Sequence, residues 1–164
     1  MGILLAQKNN TTMSKLKKTI SDIRSKYGNL DDPDYLFIIK TYDQNPYRNL
    51  IAKMSSYLSL LDITDINYDA SFAFSIKTKT SNHLLMMSMV GKYAVLIRQP
   101  DVEFEFVSEN STTDITEEEK LILHLLLDEG FELVDESLLY KVVSNSENED
   151  GEKLNVYHLL FSRV

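Results

Sequence analysis

The residues best suited to chemistry in this chain are carboxylates. Asp101-Val102-Glu103-Phe104-Glu105-Phe106-Val107 alternates acid with apolar residue. In an extended strand alternate side chains share a face. Asp101, Glu103 and Glu105 would then form an acidic row, each about 6–7 Å from the next at the usual rise of a strand. Val102, Phe104 and Phe106 would face the core. Such a row can serve as a solvated outer face that also protects a sheet edge. It can dock Lys and Arg of a partner. With further oxygen ligands it can also hold a divalent cation or do acid–base work.

The other catalytic parts are sparse. The chain has no cysteine, which removes thiolate catalysis, disulfides and thiolate-bound metal. Its five glycines, at 2, 28, 91, 130 and 151, are too scattered for a phosphate-cradling loop or a dinucleotide fingerprint. His83, His124 and His158 are the only histidines, and no two have a metal-ligand spacing. His83 follows a polar turn and reads as a surface residue. His124 lies in an apolar helix and reads as a core or interface residue. His158 sits in the final apolar segment, read as a strand, and could join Glu103 and Glu105 in a carboxylate–histidine enzyme. Ser146-x-Asn148-x-Asp150-Gly151 lacks the closing glutamate of a calcium loop, because that position falls on Tyr157. No cofactor or metal is implied.

Charge is graded along the 164 residues. Residues 1–30 hold six bases and one acid, net +5. Residues 31–99 hold seven of each. Residues 100–164 hold four bases and seventeen acids, net −13, and the whole is −8. An acidic half repels nucleic acid, which needs clustered Lys and Arg. No apolar run is long enough to span a bilayer, so neither nucleic acid nor membrane is an expected partner. The expected environment is cytoplasmic.

The elements that must position these groups follow from periodicity. Residues 1–12 read as a polar leader, followed by a basic helix over 14–27 that Gly28 ends. Residues 31–164 read as one domain. Asp32-Pro33 precedes Tyr35–Ile39, which leans to helix. Tyr47, Leu50, Ile51, Met54, Tyr57, Leu58 and Leu61 fall on one helical face, so a helix is predicted over 47–61. Strands are predicted at 70–78, 83–90, 93–98 and 101–107. Thr116-Glu117-Glu118-Glu119 is a capping box that opens a helix ending at Gly130. That helix is apolar nearly all round, which makes 117–129 a candidate homodimer contact. Two last strands are predicted at 138–143 and 154–161, with a hairpin turn at Asp150-Gly151. The fold class is α+β: a mainly antiparallel sheet of about six strands with helices packed on one face.

A candidate partner-binding surface comprises Asp101, Glu103, Glu105, Glu109, Glu117, Glu118, Asp128, Glu129, Glu149 and Asp150. A small acidic α+β chain of this kind resembles, in overall character, the bacterial immunity proteins that neutralise toxins. The resemblance implies a non-catalytic mechanism: carboxylates pair with Lys and Arg of a basic partner and occlude its cleft. The order of helix 47–61, three strands, a helix and two strands also resembles the small acidic type III secretion chaperones. That resemblance implies a dimer holding effector segments.

Overall fold

The computed structural model describes residues 2–99, 104–108, 111, 114–148 and 150–162, with side chains from residue 12 onward. Its elements run α1 (Gly2–Tyr27), α2 (Leu36–Gln44), α3 (Arg48–Ser55), β1 (Ser59–Asp62), β2 (Ser71–Lys77), β3 (Asn82–Ser88), β4 (Tyr93–Gln99) and β5 (Glu105–Val107). They continue with α4 (Glu117–Asp128), β6 (Glu132–Leu133), α5 (Glu136–Leu139), β7 (Val142–Glu147), β8 (Lys153–Asn155) and α6 (Val156–Phe161). This is an α+β fold. Strands β1 to β5 pair antiparallel in sequence order, and β6 returns parallel to β4. β7 and β8 form a separate hairpin.

The alternation in β4 determines how the layers stack. Ala94 and Leu96 point into one core with Phe72, Phe74, Leu85 and Met87, covered by α2, α3 and α4. Tyr93, Val95 and Ile97 point into a second core with Met86, covered by α1, α5 and α6. Helices therefore lie on both faces, not on the single face expected. The sequence reason is visible in β4, where five consecutive residues from Tyr93 to Ile97 are all buried. Such a run reads as a strand covered on both sides.

Several element types differ from expectation for local reasons. α1 begins at Gly2 rather than Ser14, since no Gly or Pro interrupts the chain between Gly2 and Gly28. Its C-terminal half docks into the second core through Ile23 and Tyr27. Lys18 and Asp22 both hydrogen-bond the Tyr93 hydroxyl. The helix predicted over 47–61 stops at Ser55. From Leu58 the apolar period becomes two, and Leu58 and Leu60 pack inward while β1 pairs with β2. The predicted strand 138–143 begins as α5, capped by the Asp135 carboxylate. The predicted strand 154–161 is mostly α6: Val156, Leu159 and Leu160 share helical spacing, and Asn155 caps the helix. The hairpin at Asp150-Gly151 forms as expected, with Gly151 at φ +77°, a left-handed conformation that favours glycine.

α6 is tied to the sheet by two buried hydroxyls. Ser71 Oγ donates to the Phe161 carbonyl at 3.0 Å, and Ser88 Oγ donates to the Leu160 carbonyl at 2.6 Å. A two-sided sheet predicts that truncation on either face is costly. Leu126→Ala in the first core should cost about 2–5 kcal/mol, and Phe161→Ala in the second about 3–5 kcal/mol. Urea unfolding measures both. A near-neutral Phe161→Ala would show that the second layer adds no core.

Candidate functional site

Four charged or titratable side chains meet at one end of the sheet. His83 on β3 stands opposite Arg98 on β4, and Arg98 stands opposite Glu105 on β5. Lateral neighbours share a face, so the three form a row beneath the first turn of α4. Glu119 reaches down from that turn. It sits on the helical stripe of Ile122, Leu123 and Leu126, all buried, so it points where that stripe points.

The Glu119 carboxylate is saturated. Its Oε1 accepts from Arg98 Nε at 2.7 Å and lies 2.6 Å from His83 Nε2. Its Oε2 accepts from Arg98 Nη2 at 2.7 Å and from the Thr116 N–H at 2.8 Å. The capping box is complete, because Thr116 Oγ1 accepts from the Glu119 N–H. Arg98 Nη1 continues to Glu105 Oε2 at 2.7 Å, and Nη2 also donates to the Asp114 carbonyl. The side chains of His83 and Glu119 are 0% exposed, that of Arg98 15% and that of Glu105 32%. Burial alone pushes the Glu119 carboxyl up. The hydrogen bonds from Arg98, the Thr116 N–H and His83 outweigh it and hold the group down at about 2. Glu119 in turn raises Arg98 against its own burial. With an ionised acceptor before it, His83 donates through Nε2, which leaves buried Nδ1 without a partner among the described residues.

This cluster has the residue types of an acid–base site but the wiring of a brace. Both Glu119 oxygens are occupied by donors, and the imidazole is wholly enclosed. A cleft of about 590 Å³ opens beside it, lined by the β2–β3 turn, Arg98, Gln99, Asp114 and Thr116, and neither His83 nor Glu119 reaches its wall. Among the described residues no group of three or more His, Asp or Glu is placed to hold a metal ion. Among them, too, no helix is long and apolar enough to cross a membrane.

The proposed surface acids are dispersed. Asp101, Glu103, Glu109 and Glu149 lie outside the described residues. Glu105 is bound to Arg98 on the α4 face, with Val107 buried beside it. At Glu105 the acidic row therefore turns toward Arg98 and the α4 layer and is only partly solvated. Phe104, expected in the core, is 74% exposed, and only Phe106 of the pair packs inward. Glu117 is exposed beside Lys120, and Glu118 is half-buried. Asp128 pairs with His124, while Glu129 and Asp150 are exposed.

The histidines depart from expectation as well. His83 is buried rather than on the surface, and His124 is exposed rather than in a core or interface. His158 lies on a helix, where Nδ1 accepts from the Asn155 N–H. Glu105 and His158 belong to opposite layers, so the carboxylate–histidine grouping does not assemble from them. Sequence reasoning missed the central set of Glu119, Arg98 and His83. The signal lay in charges at apolar positions: Glu119 on the 119, 122, 123, 126 stripe, and His83 in phase with Leu85 and Met87. No family model, curated protein or solved structure matches the chain.

Removing the charge at the centre should expose its role. Glu119→Gln leaves the partly buried Arg98 without its main counter-ion and should cost about 3–5 kcal/mol. The pH dependence has a definite sign. A carboxyl held down to about 2 when folded but near about 4.3 when unfolded stabilises fully above the unfolded value. That contribution fades as pH falls toward the folded value. Urea unfolding between pH 5 and 2, at about half-unit steps, should show wild-type stability falling steeply and the variant's falling less. Parallel slopes would remove Glu119 from this role.

Proposed function

We propose that the protein is a non-catalytic binder that occludes a basic protein partner with its acidic C-terminal half. A bacterial toxin met in the cytoplasm is the partner class that fits. The observation that carries this reading is the division of the acids. Glu119 and Glu105 turn inward and are neutralised by Arg98. The exposed acids of α4 and of the β7–β8 hairpin turn outward. Among the described residues, only Lys120, His124 and His158 lie within ion-pair distance of them. Those three pair with Glu117, Asp128 and Glu152, so among the described residues it is the charge of Glu129, Glu147 and Asp150 that is left for a partner. Exposed Phe104 supports the same reading, since exposed aromatic side chains are enriched at protein interfaces.

Occlusion by charge is steered and salt-sensitive, because exposed pairs are screened within about 8–10 Å at ordinary ionic strength. The quadruple variant Asp128→Asn, Glu129→Gln, Glu147→Gln and Asp150→Asn tests the reading. These groups lie at the C-terminal end of α4 or in the hairpin, where neutralisation leaves the Thr116–Glu119 capping box of α4 intact. The wild type should capture a basic protein from lysate at low salt and release it at high salt. The variant should fail to capture it while melting at nearly the wild-type temperature. Equal capture by the variant at both salt concentrations would overturn the reading.

A further inference from the structure

α1 is held to the domain by a narrow stripe. Leu16, Thr19, Ile23 and Tyr27 recur at helical spacing, and the last three are wholly buried. The opposite side of the helix is open. Ser14, Ser21 and Ser25 are exposed along its outer crest. At 3.6 residues per turn, Lys17 and Arg24 fall on one flank of that crest. Lys15 and Lys26 fall on the other, about 180° away around the helix. All four bases are exposed. Among the described residues none of the four lies within ion-pair distance of an acid, whereas Lys18 is tied to Asp22 and Glu132.

The arrangement restricts what could use these charges. Residues 12–27 hold five bases and one acid in a chain of net −8. A flat anionic surface, such as a bilayer or the face of an acidic protein, touches one side of a helix. Bases on opposite flanks act together only on a ligand that carries negative charge along both sides. A groove walled by two phosphate strands is such a ligand. The major groove of B-form DNA is about 12 Å wide and admits a helix about 10–12 Å across. The major groove of duplex RNA is too narrow. The crest is polar, so it offers hydroxyls to a groove and no apolar side chain to a bilayer.

We propose that the outer face of α1 docks duplex DNA, with Lys17 and Arg24 on phosphates of one strand and Lys15 and Lys26 on those of the other. The expectation against nucleic acid came from the acid-rich residues 100–164, and none of these belongs to α1. The acidic β7–β8 hairpin approaches the helix at its C-terminal end, where Asp31 accepts from Ser146 Oγ at 2.6 Å. The helix therefore enters the groove from its N-terminal side. Contacts of this kind position a protein on the duplex without reading sequence. The proposal does not rest on the reading of the acidic surface.

Fluorescence anisotropy of a labelled duplex of two helical turns, about 21 bp, tests it with the full chain over a salt series. Four phosphate contacts should give a slope of about −3.6 for log K against log salt, at about −0.9 per contact. Lys17→Gln with Arg24→Gln should flatten that slope by about 2 units, and Lys15→Gln with Lys26→Gln by as much. Lys53→Gln with Lys79→Gln removes the same charge from exposed positions off α1 and should leave it unchanged. All three variants should melt near the wild-type temperature. A single strand of the same length, and vesicles of anionic phospholipid, should bind more weakly than the duplex. No binding of the duplex at low salt, a loss confined to one flank's variant, or an equal loss in the Lys53 and Lys79 variant would each overturn the proposal. So would a single strand or vesicles bound as tightly as the duplex.

Discussion

The structure turns on one buried carboxylate. Glu119 joins α4 to β3 through His83 and to β4 through Arg98, and Arg98 extends the connection to β5. Transferring such an ion from water costs several kcal/mol, and good geometry with full hydrogen bonding can offset it. The geometry here meets that demand, because Arg98 grips both carboxylate oxygens and the N–H of the N-cap Thr116 and the His83 ring complete the shell. The consequence is specificity of register. Sliding β4 one residue along β3 would turn either His83 or Arg98 to the opposite face, where Tyr93, Val95 and Ile97 pack. Glu119 would then be an enclosed charge without a donor. The network stabilises one pairing largely by making its neighbours expensive.

The same cluster shows how a site can look catalytic and act structurally. A histidine, a carboxylate and an arginine within hydrogen-bond distance are the parts of many acid–base sites. What separates the two roles is spare capacity. A working base keeps a lone pair within reach of a substrate, whereas Glu119 has spent its acceptors and the His83 ring is sealed. The cleft beside them is walled by Arg98, whose donors already face Glu119, Glu105 and the Asp114 carbonyl.

Much of this architecture was legible before any coordinates, and the failures share a cause. The alternation in 70–78, the apolar runs of 83–90 and 93–98, the capping box at Thr116 and the glycine turns at 28, 130 and 151 are local signals, and all three strands they announce pair as expected. What sequence pattern misjudged was which faces would be covered. Once helices lie on both sides, alternation no longer separates core from solvent. Glu105 becomes an internal partner, and Phe104, expected inside, stands outside at the start of β5. Short apolar stretches failed for a second reason. Residues 57–62 and 154–161 satisfy periods of both 2 and 3.6, and the choice fell to pairing and caps: β2 claims the first, and Asn155 turns the second into a helix. The central carboxylate was hidden because a charge on an apolar stripe makes sense only when its counter-ions are known. Its hydrogen-bond partners, His83 and the counter-ion Arg98, sit 36 and 21 residues away in the chain.

The two edges of the sheet differ in a way that orders the functional readings. β1 and β5 terminate opposite sides of the ladder. The β1 edge exposes Leu61 and Ile63 but also carries Asp62, while β5 opens the acidic half just after Phe104. Glu105 on β5 is held by Arg98 beneath α4, so its charge is spent inside the fold. Glu129, Glu147 and Asp150, exposed and without an ion pair among the described residues, belong to the end of α4 and to the β7–β8 hairpin, not to either edge strand.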